Sequence, residues 1–273
     1  MRLHVREFDG PADRTLLVIH GGPDWDHSYL VEPLNRLAGE HRLLFPDLRG
    51  CGRSSVAEPL TPDAMVADLV ELIGASQVDV LGFSYGGLIA QRLAIQAPGL
   101  VRRLIVASSS VLPVPADAFD GWEEYERRSA AHPSIWDTSP LRGAELTRAE
   151  AFATAPLDVW REESLPDYLK RLEQVTFTGN YLRAWREGRF PSARHPDAVE
   201  RLSGGAAVPA ARTPGHDVPG LVGAVDAVHG CGRSGGGRAH GAHRSASGVA
   251  GCGQAIPGRC HVIPRAGYGG DGR

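Results

Sequence analysis

The amino-acid sequence predicts an α/β fold in which helices cover both faces of a mostly parallel sheet. Short apolar runs bounded by Gly, Pro or polar turn residues, typical of buried strands, recur at 15–20, 42–47, 78–84 and 101–109. Segments with helical spacing of apolar residues separate most of these runs, as expected where parallel strands are joined by crossover helices. Hydrophobic residues make up 42% of the 273 residues, which is enough to bury a sizeable core.

The expected elements can be justified one by one. An edge strand is predicted where apolar and polar side chains alternate, and helices are predicted where apolar residues recur every three to four positions. Thr61 as N-cap and Pro62 at the first helical position mark one helix start. In chain order we expect a strand at 2–8, a strand at 15–20, a helix at 28–38, a strand at 42–47, a helix at 61–75, a strand at 78–84, a helix at 86–99 and a strand at 101–109.

The composition divides the chain into three parts. Residues 1–112 read as the first part of the core. Residues 113–202 mix acidic, basic and aromatic side chains at helical spacing, which predicts a helical cap inserted over the carboxyl edge of the sheet; a separate helical domain is the alternative. Residues 203–273 read as an atypical, Gly-rich second part of the core that we expect to be poorly ordered, since they hold 19 of the 34 Gly and no Glu, Phe or Trp.

One hypothesis explains this last part. Of the 29 basic residues 28 are Arg, a bias that indicates a GC-rich gene, and such DNA read out of frame encodes long stretches rich in Gly, Ala, Arg, Pro, His and Cys. Residues 231–255 have that composition. The coding sequence of the C-terminal part is therefore hypothesised to be frameshifted, which resequencing of the 3′ end of the gene would test.

Charge and hydropathy exclude several classes of protein. A net charge of −3 argues against a nucleic-acid partner. No apolar run reaches the ~18 residues of a membrane span, and the first residues lack the apolar core of a signal peptide, so a cytoplasmic protein without a membrane partner is expected. Four Cys give no disulfide framework, and no cofactor is implied. The His and Cys residues after position 228 match no familiar zinc spacing, so no metal site is predicted.

The strongest chemical signal is Gly82-Phe83-Ser84-Tyr85-Gly86-Gly87, which joins the strand at 78–84 to the following helix. It is the G-x-S-x-G pattern of a nucleophilic serine in its strand–turn–helix context. Small residues are needed at 82 and 86 because Ser84 must occupy a sharp turn with its hydroxyl above the sheet. The backbone N–H of Tyr85 then faces a developing oxyanion. The competing interpretation is an ordinary Gly-rich turn with a bystander serine.

Two further motifs follow strands. His20-Gly21-Gly22-Pro23 follows the strand at 15–20, and its glycines let the N–H of Gly22 approach the same oxyanion. His20 itself is interpreted as structural rather than as the general base. The loop from Asp47 to Ser54, with sequence DLRGCGRS, is interpreted as scaffold held by an Asp–Arg pairing.

These three motifs, in this order, resemble the α/β-hydrolase fold and within it the proline iminopeptidase-like serine hydrolases. The resemblance covers residues 1–112 well and implies a triad in the chain order Ser, Asp, His. It also implies a helical cap whose carboxylates read the free amino terminus of a substrate. The acid pairs Glu123-Glu124 and Glu162-Glu163 lie in that cap, but a solvated helix face explains them equally well, and no substrate-binding residue is assigned. The family's HGGPG reads HGGPD here, with Asp24 in the last place.

The resemblance places the triad acid at Asp226, in the segment LVGAVDAVHG, with Asp217 as its rival. The family histidine follows the last strand, and this sequence has Tyr268 there. A phenol with a pKa near 10 is a poor general base at neutral pH. None of the remaining candidates, His229, His240, His243 and His261, matches the family position.

The function expected is that of a serine hydrolase in which Ser84 forms an acyl-enzyme with a small-molecule or short-peptide substrate, most like a proline iminopeptidase. An esterase or lactonase acting on a small metabolite is the alternative within enzymes. The alternative from another class is a catalytically impaired relic or binding module that lacks the triad His. Ser84 disfavours the dehalogenases and epoxide hydrolases of the fold, which by resemblance use an Asp nucleophile. The oligomeric state does not follow from the sequence.

Overall fold

The computed structural model describes residues 2–112, 114–115, 117–189 and 191–203. Within these ranges it contains five strands: β1 (Val5–Phe8), β2 (Thr15–Ile19), β3 (Arg42–Pro46), β4 (Val78–Phe83) and β5 (Val101–Ala107). They form one sheet in the order β1-β3-β2-β4-β5. Only β1 runs antiparallel to its neighbour, so the predicted mostly parallel sheet with an edge strand near residue 2 is confirmed.

The described helices are α1 (Ser28–Leu34), α2 (Pro62–Ile73), α3 (Tyr85–Gln96), α4 (Glu123–Ala131), α5 (Gly143–Asp158), α6 (Leu165–Leu172), α7 (Asn180–Arg186) and α8 (Ala198–Ser203). Short 3-10 turns lie at 12–14, 35–37, 98–100 and 162–164. The part of the chain described between 114 and 203 is entirely helix, turn and loop.

The central strands have cores on both faces because successive side chains of a strand point to opposite sides. In β2, Leu17 and Ile19 join one buried cluster, whereas Leu16 and Val18 join the other. Apolar residues of α2 and α3 complete the first cluster, and residues of α1, α5 and α6 complete the second. Helices therefore cover both faces of the sheet, as the continuous apolar strands predict.

The start of α2 is the one predicted from its capping residues. The hydroxyl of Thr61 accepts a hydrogen bond from the N–H of Ala64 at 3.2 Å, and Pro62 occupies the first helical position. Met65, Leu69 and Ile73 of this helix are buried in the first cluster, together with apolar residues of the sheet. This helix also carries Asp68, which forms an ion pair with Arg49.

The helix expected over 28–38 is interrupted, so this prediction was wrong in extent. Glu32 has φ −92° and ψ 127°, outside the helical region, and a 3-10 turn at 35–37 replaces the last part. The physical reason is Pro33, whose ring disfavours a helical conformation for the preceding residue and which has no N–H to donate.

Candidate active site

Ser84 lies on a strained turn between β4 and α3. Its φ is +52° and its ψ is −118°, a backbone conformation that residues with a Cβ rarely adopt. Two hydrogen bonds hold the turn: the N–H of Ser84 donates to the carbonyl of Ala107 at 2.9 Å, and the N–H of Gly87 donates to the carbonyl of Ser84 at 2.9 Å. The serine is therefore fixed at the carboxyl edge of the sheet, directly at the amino terminus of a 12-residue helix.

The glycines around Ser84 are required by close backbone packing. A Cβ at Gly82 would lie 2.6 Å from the Cβ of Ala90 and 2.7 Å from the Cα of Gly87. A Cβ at Gly86 would collide with the backbone carbonyls of Ile19 and His20. Helix α3 therefore packs directly on the ends of β4 and β2, which is what allows so abrupt a turn at residue 84.

The loop after β2 packs against the serine. A Cβ at Gly21 would lie 2.9 Å from the Cβ of Ser84 and 2.9 Å from the carbonyl oxygen of Phe83. The N–H of Gly21 already donates to the hydroxyl of Tyr29 at 2.8 Å, so it is committed within the protein. Gly22, with φ +56°, is the next residue of the loop. The structure thus brings together Ser84, the start of α3 at Tyr85 and the Gly21–Gly22 loop.

His20 is buried and has a backbone partner at each ring nitrogen. The N–H of Leu48 donates to Nε2 at 2.9 Å, so this nitrogen is unprotonated. Nδ1 lies 2.9 Å from the carbonyl oxygen of Gly21 and therefore carries the proton. Burial lowers the pKa of His20 below its ordinary value. The ring is thus a neutral link between the loops after β2 and β3, and the lone pair of Nε2, which a general base would need, is already occupied by the N–H of Leu48.

The loop from Asp47 to Ser54 is held differently from the expected Asp–Arg pairing within the motif. Oδ1 of Asp47 lies 2.6 Å from Nδ1 of His27, and Oδ2 accepts the N–H of Arg53 at 2.9 Å. Burial alone would raise the pKa of Asp47, but the hydrogen bond from His27 and the N–H of Arg53 outweigh it and lower the pKa. Arg49 turns away to Asp68 on α2. Asp47 and Arg49 therefore stabilise the loop through partners outside the motif or through its backbone.

Asp24, which occupies the last position of HGGPD, is buried and has φ +73°. Its carboxylate accepts hydrogen bonds from the hydroxyl of Thr178 at 2.7 Å, the N–H of Tyr181 at 3.0 Å and the N–H of Leu182 at 2.8 Å. Burial raises the pKa of Asp24 despite these donors. The residue that departs from the family pattern therefore binds the segment at the start of α7.

The acid pairs of the helical region face arginines or solvent. Both oxygens of Glu124 accept hydrogen bonds from Arg127, and Oε1 also accepts one from Arg128; the Arg127 and Arg128 guanidinium groups lower the pKa of Glu124 to about 2. Glu162 lies 3.7 Å from Arg128 and is 78% exposed. Glu123 and Glu163 are exposed as well. A solvated helix face accounts for these four carboxylates.

Several aromatic residues near the serine were missed by the sequence analysis. The ring of Tyr29 lies 5.9 Å from that of Phe83 and 5.3 Å from that of Trp25, and Trp25 lies 5.4 Å from Phe177, each pair edge to face. We call these four residues the aromatic group. Helical spacing marks Tyr29 only as a core residue. The contact with Phe177 joins residues about 150 positions apart, and no local pattern indicates it.

Other predicted site residues fall outside the described ranges. These are the proposed triad acid Asp226, its rival Asp217, the family histidine position Tyr268, and the candidates His229, His240, His243 and His261. Within the described ranges, no group of three or more His, Cys, Asp or Glu could hold a metal ion. None of the helices described is both long and apolar enough to cross a membrane.

Comparison with known proteins agrees with this geometry. The α/β hydrolase fold family matches residues 14–189. Lipase LipV of Mycobacterium tuberculosis is 34% identical over 169 residues, which cover 60% of this chain and 62% of the lipase. A proline iminopeptidase of Saccharolobus solfataricus is 37% identical over 105 residues, 36% of this chain and 34% of that enzyme. The chain thus spans less than two thirds of the length of each of these relatives.

A solved esterase from Exiguobacterium antarcticum shares the fold. It is 18% identical, with a TM-score of 0.50 over 75% of this chain and 74% of the esterase. The family match extends over more than half of the chain and includes β2 to β5, the Ser84 turn and the loops that pack against it. The chain belongs to the α/β hydrolase fold family.

Proposed function

We propose that this protein is a serine hydrolase that cleaves small carboxylic esters through an acyl-enzyme on Ser84. The observation that carries the proposal is the backbone of Ser84, held at φ +52° against the Gly21–Gly22 loop at the amino terminus of α3. A bystander serine has no need of so strained a conformation, and strained residues cluster at active sites.

In the proposed reaction the hydroxyl oxygen of Ser84 attacks the ester carbonyl carbon while a general base takes its proton. The N–H groups of Gly22 and Tyr85 stabilise the oxyanion, and the alcohol leaves with the proton from the base. Water then attacks the acyl-enzyme, releases the acid and restores the serine. Asp226 is the proposed partner of the base. We propose that the base itself is one of residues 204–273, because both ring nitrogens of His20 already have partners in Leu48 and Gly21.

An ester with an apolar acyl group is favoured over a peptide with a free amino terminus. The aromatic group packs beside the Ser84 turn, and such rings suit apolar groups. The acid pairs of the helical region, which by resemblance would bind an ammonium group, face Arg127, Arg128 or solvent instead. Proline iminopeptidase activity is the second candidate, supported by the 105 matching residues of the Saccharolobus enzyme.

The test is labelling of the purified protein with a fluorophosphonate, beside Ser84→Ala. Labelling of the wild type but not of the variant would support an activated serine. The rates of hydrolysis of p-nitrophenyl acetate, butyrate and octanoate would then be compared with that of prolyl-p-nitroanilide. Faster hydrolysis of the esters is expected. Faster hydrolysis of the anilide would favour the iminopeptidase. A sample that melts cooperatively but does not label would indicate a relic whose triad is broken at Tyr268.

A further inference from the structure

Asp24 occupies a backbone position that favours glycine. At φ +73° a side chain costs free energy, although Asp and Asn tolerate this region better than most residues do. Burial of the carboxylate adds a second cost, because only 2% of the residue is exposed. A residue kept under both costs is expected to make specific contacts that a glycine could not make.

Those contacts all go to one short segment, residues 178–182, which we call the docking segment. Three of its groups donate to the Asp24 carboxylate: the hydroxyl of Thr178 and the N–H groups of Tyr181 and Leu182. The N–H of Thr178 also donates to the backbone carbonyl of Asp24 at 2.8 Å. Asp24 is therefore the link between the loop after β2 and the helical region.

The docking segment binds the loop after β3 as well. The carbonyl of Gly50 accepts a hydrogen bond from the side-chain amide of Asn180 at 2.8 Å, and it lies 3.1 Å from the hydroxyl of Thr178, whose single proton is shared with Asp24. The hydroxyl of Tyr181 donates to the carbonyl of Arg49. Without the Asp24 carboxylate the segment would keep this second attachment, and the loop after β2 would keep only the backbone bond between Thr178 and residue 24, so the substitution loosens that loop selectively.

Trp25 extends this set of contacts towards the serine. Its indole packs on Gly22, where a Cβ would lie only 2.7 Å from the ring, and the same indole contacts Phe177, just before the docking segment. Gly22 in turn follows Gly21, which packs on Ser84. A continuous set of contacts therefore runs from Leu182 through Asp24 and Trp25 to the loop beside the serine.

We propose that Asp24 is a positioning residue that fixes the oxyanion loop, residues 20–22, by docking it to the segment 178–182. This inference rests on the proposed function, since it assigns a role to the N–H of Gly22. The loop presents that N–H correctly only while the segment is docked. Loosening of this loop thus slows acylation of Ser84 more than it weakens ground-state binding of an apolar ester to the aromatic group.

The test uses substitutions at both ends of the contact. Asp24→Asn keeps the size but places an amide N–H₂ opposite at least one of the donors. Asp24→Gly relieves the backbone strain and removes all side-chain contacts. Thr178→Val removes one donor, and Thr178→Ser restores it. Glu124→Gln serves as the control, because it changes an ion pair in the helical region away from the docking segment.

The expected result is a drop of about tenfold or more in the rate of fluorophosphonate labelling and in kcat for Asp24→Asn and Asp24→Gly. This is less than the 10²–10³-fold loss on deleting an oxyanion donor, because the donor is displaced rather than removed. KM should stay within about twofold, Thr178→Ser should match wild type, and Glu124→Gln should be unaffected. Labelling of the folded Asp24 variants at the wild-type rate would overturn the proposal.

Hydrogen–deuterium exchange tests the contact independently of catalysis. In Asp24→Asn the amides of residues 20–25 should exchange faster, while those of α2 keep the wild-type rate. Faster exchange across the whole protein would reduce Asp24 to a general stability residue, and unchanged exchange at 20–25 would refute the docking. If the wild type itself fails to label, the proposed function fails, and this exchange pattern still decides whether Asp24 holds the loop.

Discussion

Arg49 and Asp68 form a two-bond ion pair that fastens the loop after β3 to helix α2. Nε of Arg49 lies 2.7 Å from Oδ2 of Asp68, and Nη2 lies 2.7 Å from Oδ1. Both side chains are nearly inaccessible to water, with 11% and 3% of their surface exposed. The pair therefore stabilises the same loop that the docking segment binds through the carbonyls of Arg49 and Gly50.

We expect Arg49→Ala to lower the free energy of unfolding by about 3 kcal/mol, since it leaves the buried Asp68 carboxylate without its guanidinium partner. Urea denaturation measures the change. Lys170→Ala, which removes an ion pair with both side chains more than two thirds exposed, is the control and should leave the midpoint nearly unchanged. Equal effects of the two substitutions would show that the buried Arg49 pair contributes no more to the free energy of unfolding than an exposed pair does.

Gly86→Ala should destabilise the protein by about 3 kcal/mol, the upper end of the usual range for over-packing. Its Cβ would meet the backbone carbonyls of Ile19 and His20, which cannot move away because β2 is paired on both sides. Gly99→Ala is the matched control, since a Cβ there meets nothing within 4 Å. Thermal melts should show a large loss for the first variant and none for the second.

Ser84→Gly should be more stable than Ser84→Ala by about 1 kcal/mol. Glycine relieves the strain of φ +52°, worth about 1–3 kcal/mol, and loses part of that gain to the greater entropy of the unfolded chain. Both variants lack the hydroxyl, so neither should label with a fluorophosphonate. Denaturation of the two side by side gives the difference, and a less stable glycine variant would rule out strain at this turn.

His20 should make stability depend on pH below 6.5. Because burial lowers the pKa of His20 in the folded protein, the unfolded chain takes up the proton first as pH falls through the ordinary histidine pKa of 6.5. The stability from this residue is thus fully present above pH 6.5 and is lost as pH falls towards the folded pKa, by up to about 1.4 kcal/mol per pH unit.

Urea denaturation at pH 7.5, 6.5 and 5.5 measures this slope, with His20→Gln as the comparison. The Gln variant should be less stable at pH 7.5 but lose less on acidification. The Asp47 carboxylate has its pKa lowered, so its own contribution is lost only at a pH below the ordinary value of 3.8. An identical slope in wild type and variant would assign the pH dependence to other groups.

The features that the sequence predicts well are those that depend on local sequence patterns. The Thr61 cap, the apolar strands and the Gly-x-Ser-x-Gly turn each depend on a few neighbouring residues, and the structure has all of them. The prediction of one helix over 28–38 was wrong because it followed the apolar spacing and did not account for Pro33. A proline inside a helical pattern is itself a local signal, so this error was avoidable.

The partners of Asp24 and Arg49 were beyond local reasoning. Asp24 binds Thr178, which lies 154 positions later in the sequence, and Arg49 pairs with Asp68 on α2 rather than with the nearby Asp47. Which acid pairs with which donor is decided when the helices pack, since the sequence alone does not distinguish a carboxylate that stays partly exposed, such as Glu124, from one that becomes buried, such as Asp24. The role of Asp24 therefore emerges only in three dimensions.

The contact between α3 and the segment before α8 has a consequence for synthesis on the ribosome. The guanidinium of Arg92, on the helix that Ser84 begins, binds the carbonyl of Ala193, which is 101 positions later in the chain. At a translation rate of about 5–20 residues per second, the segment that contacts this surface of α3 is synthesised roughly 5–20 s after α3. The nascent domain thus passes through a stage in which the serine-bearing helix is exposed on its outer side, and chaperones would meet it there.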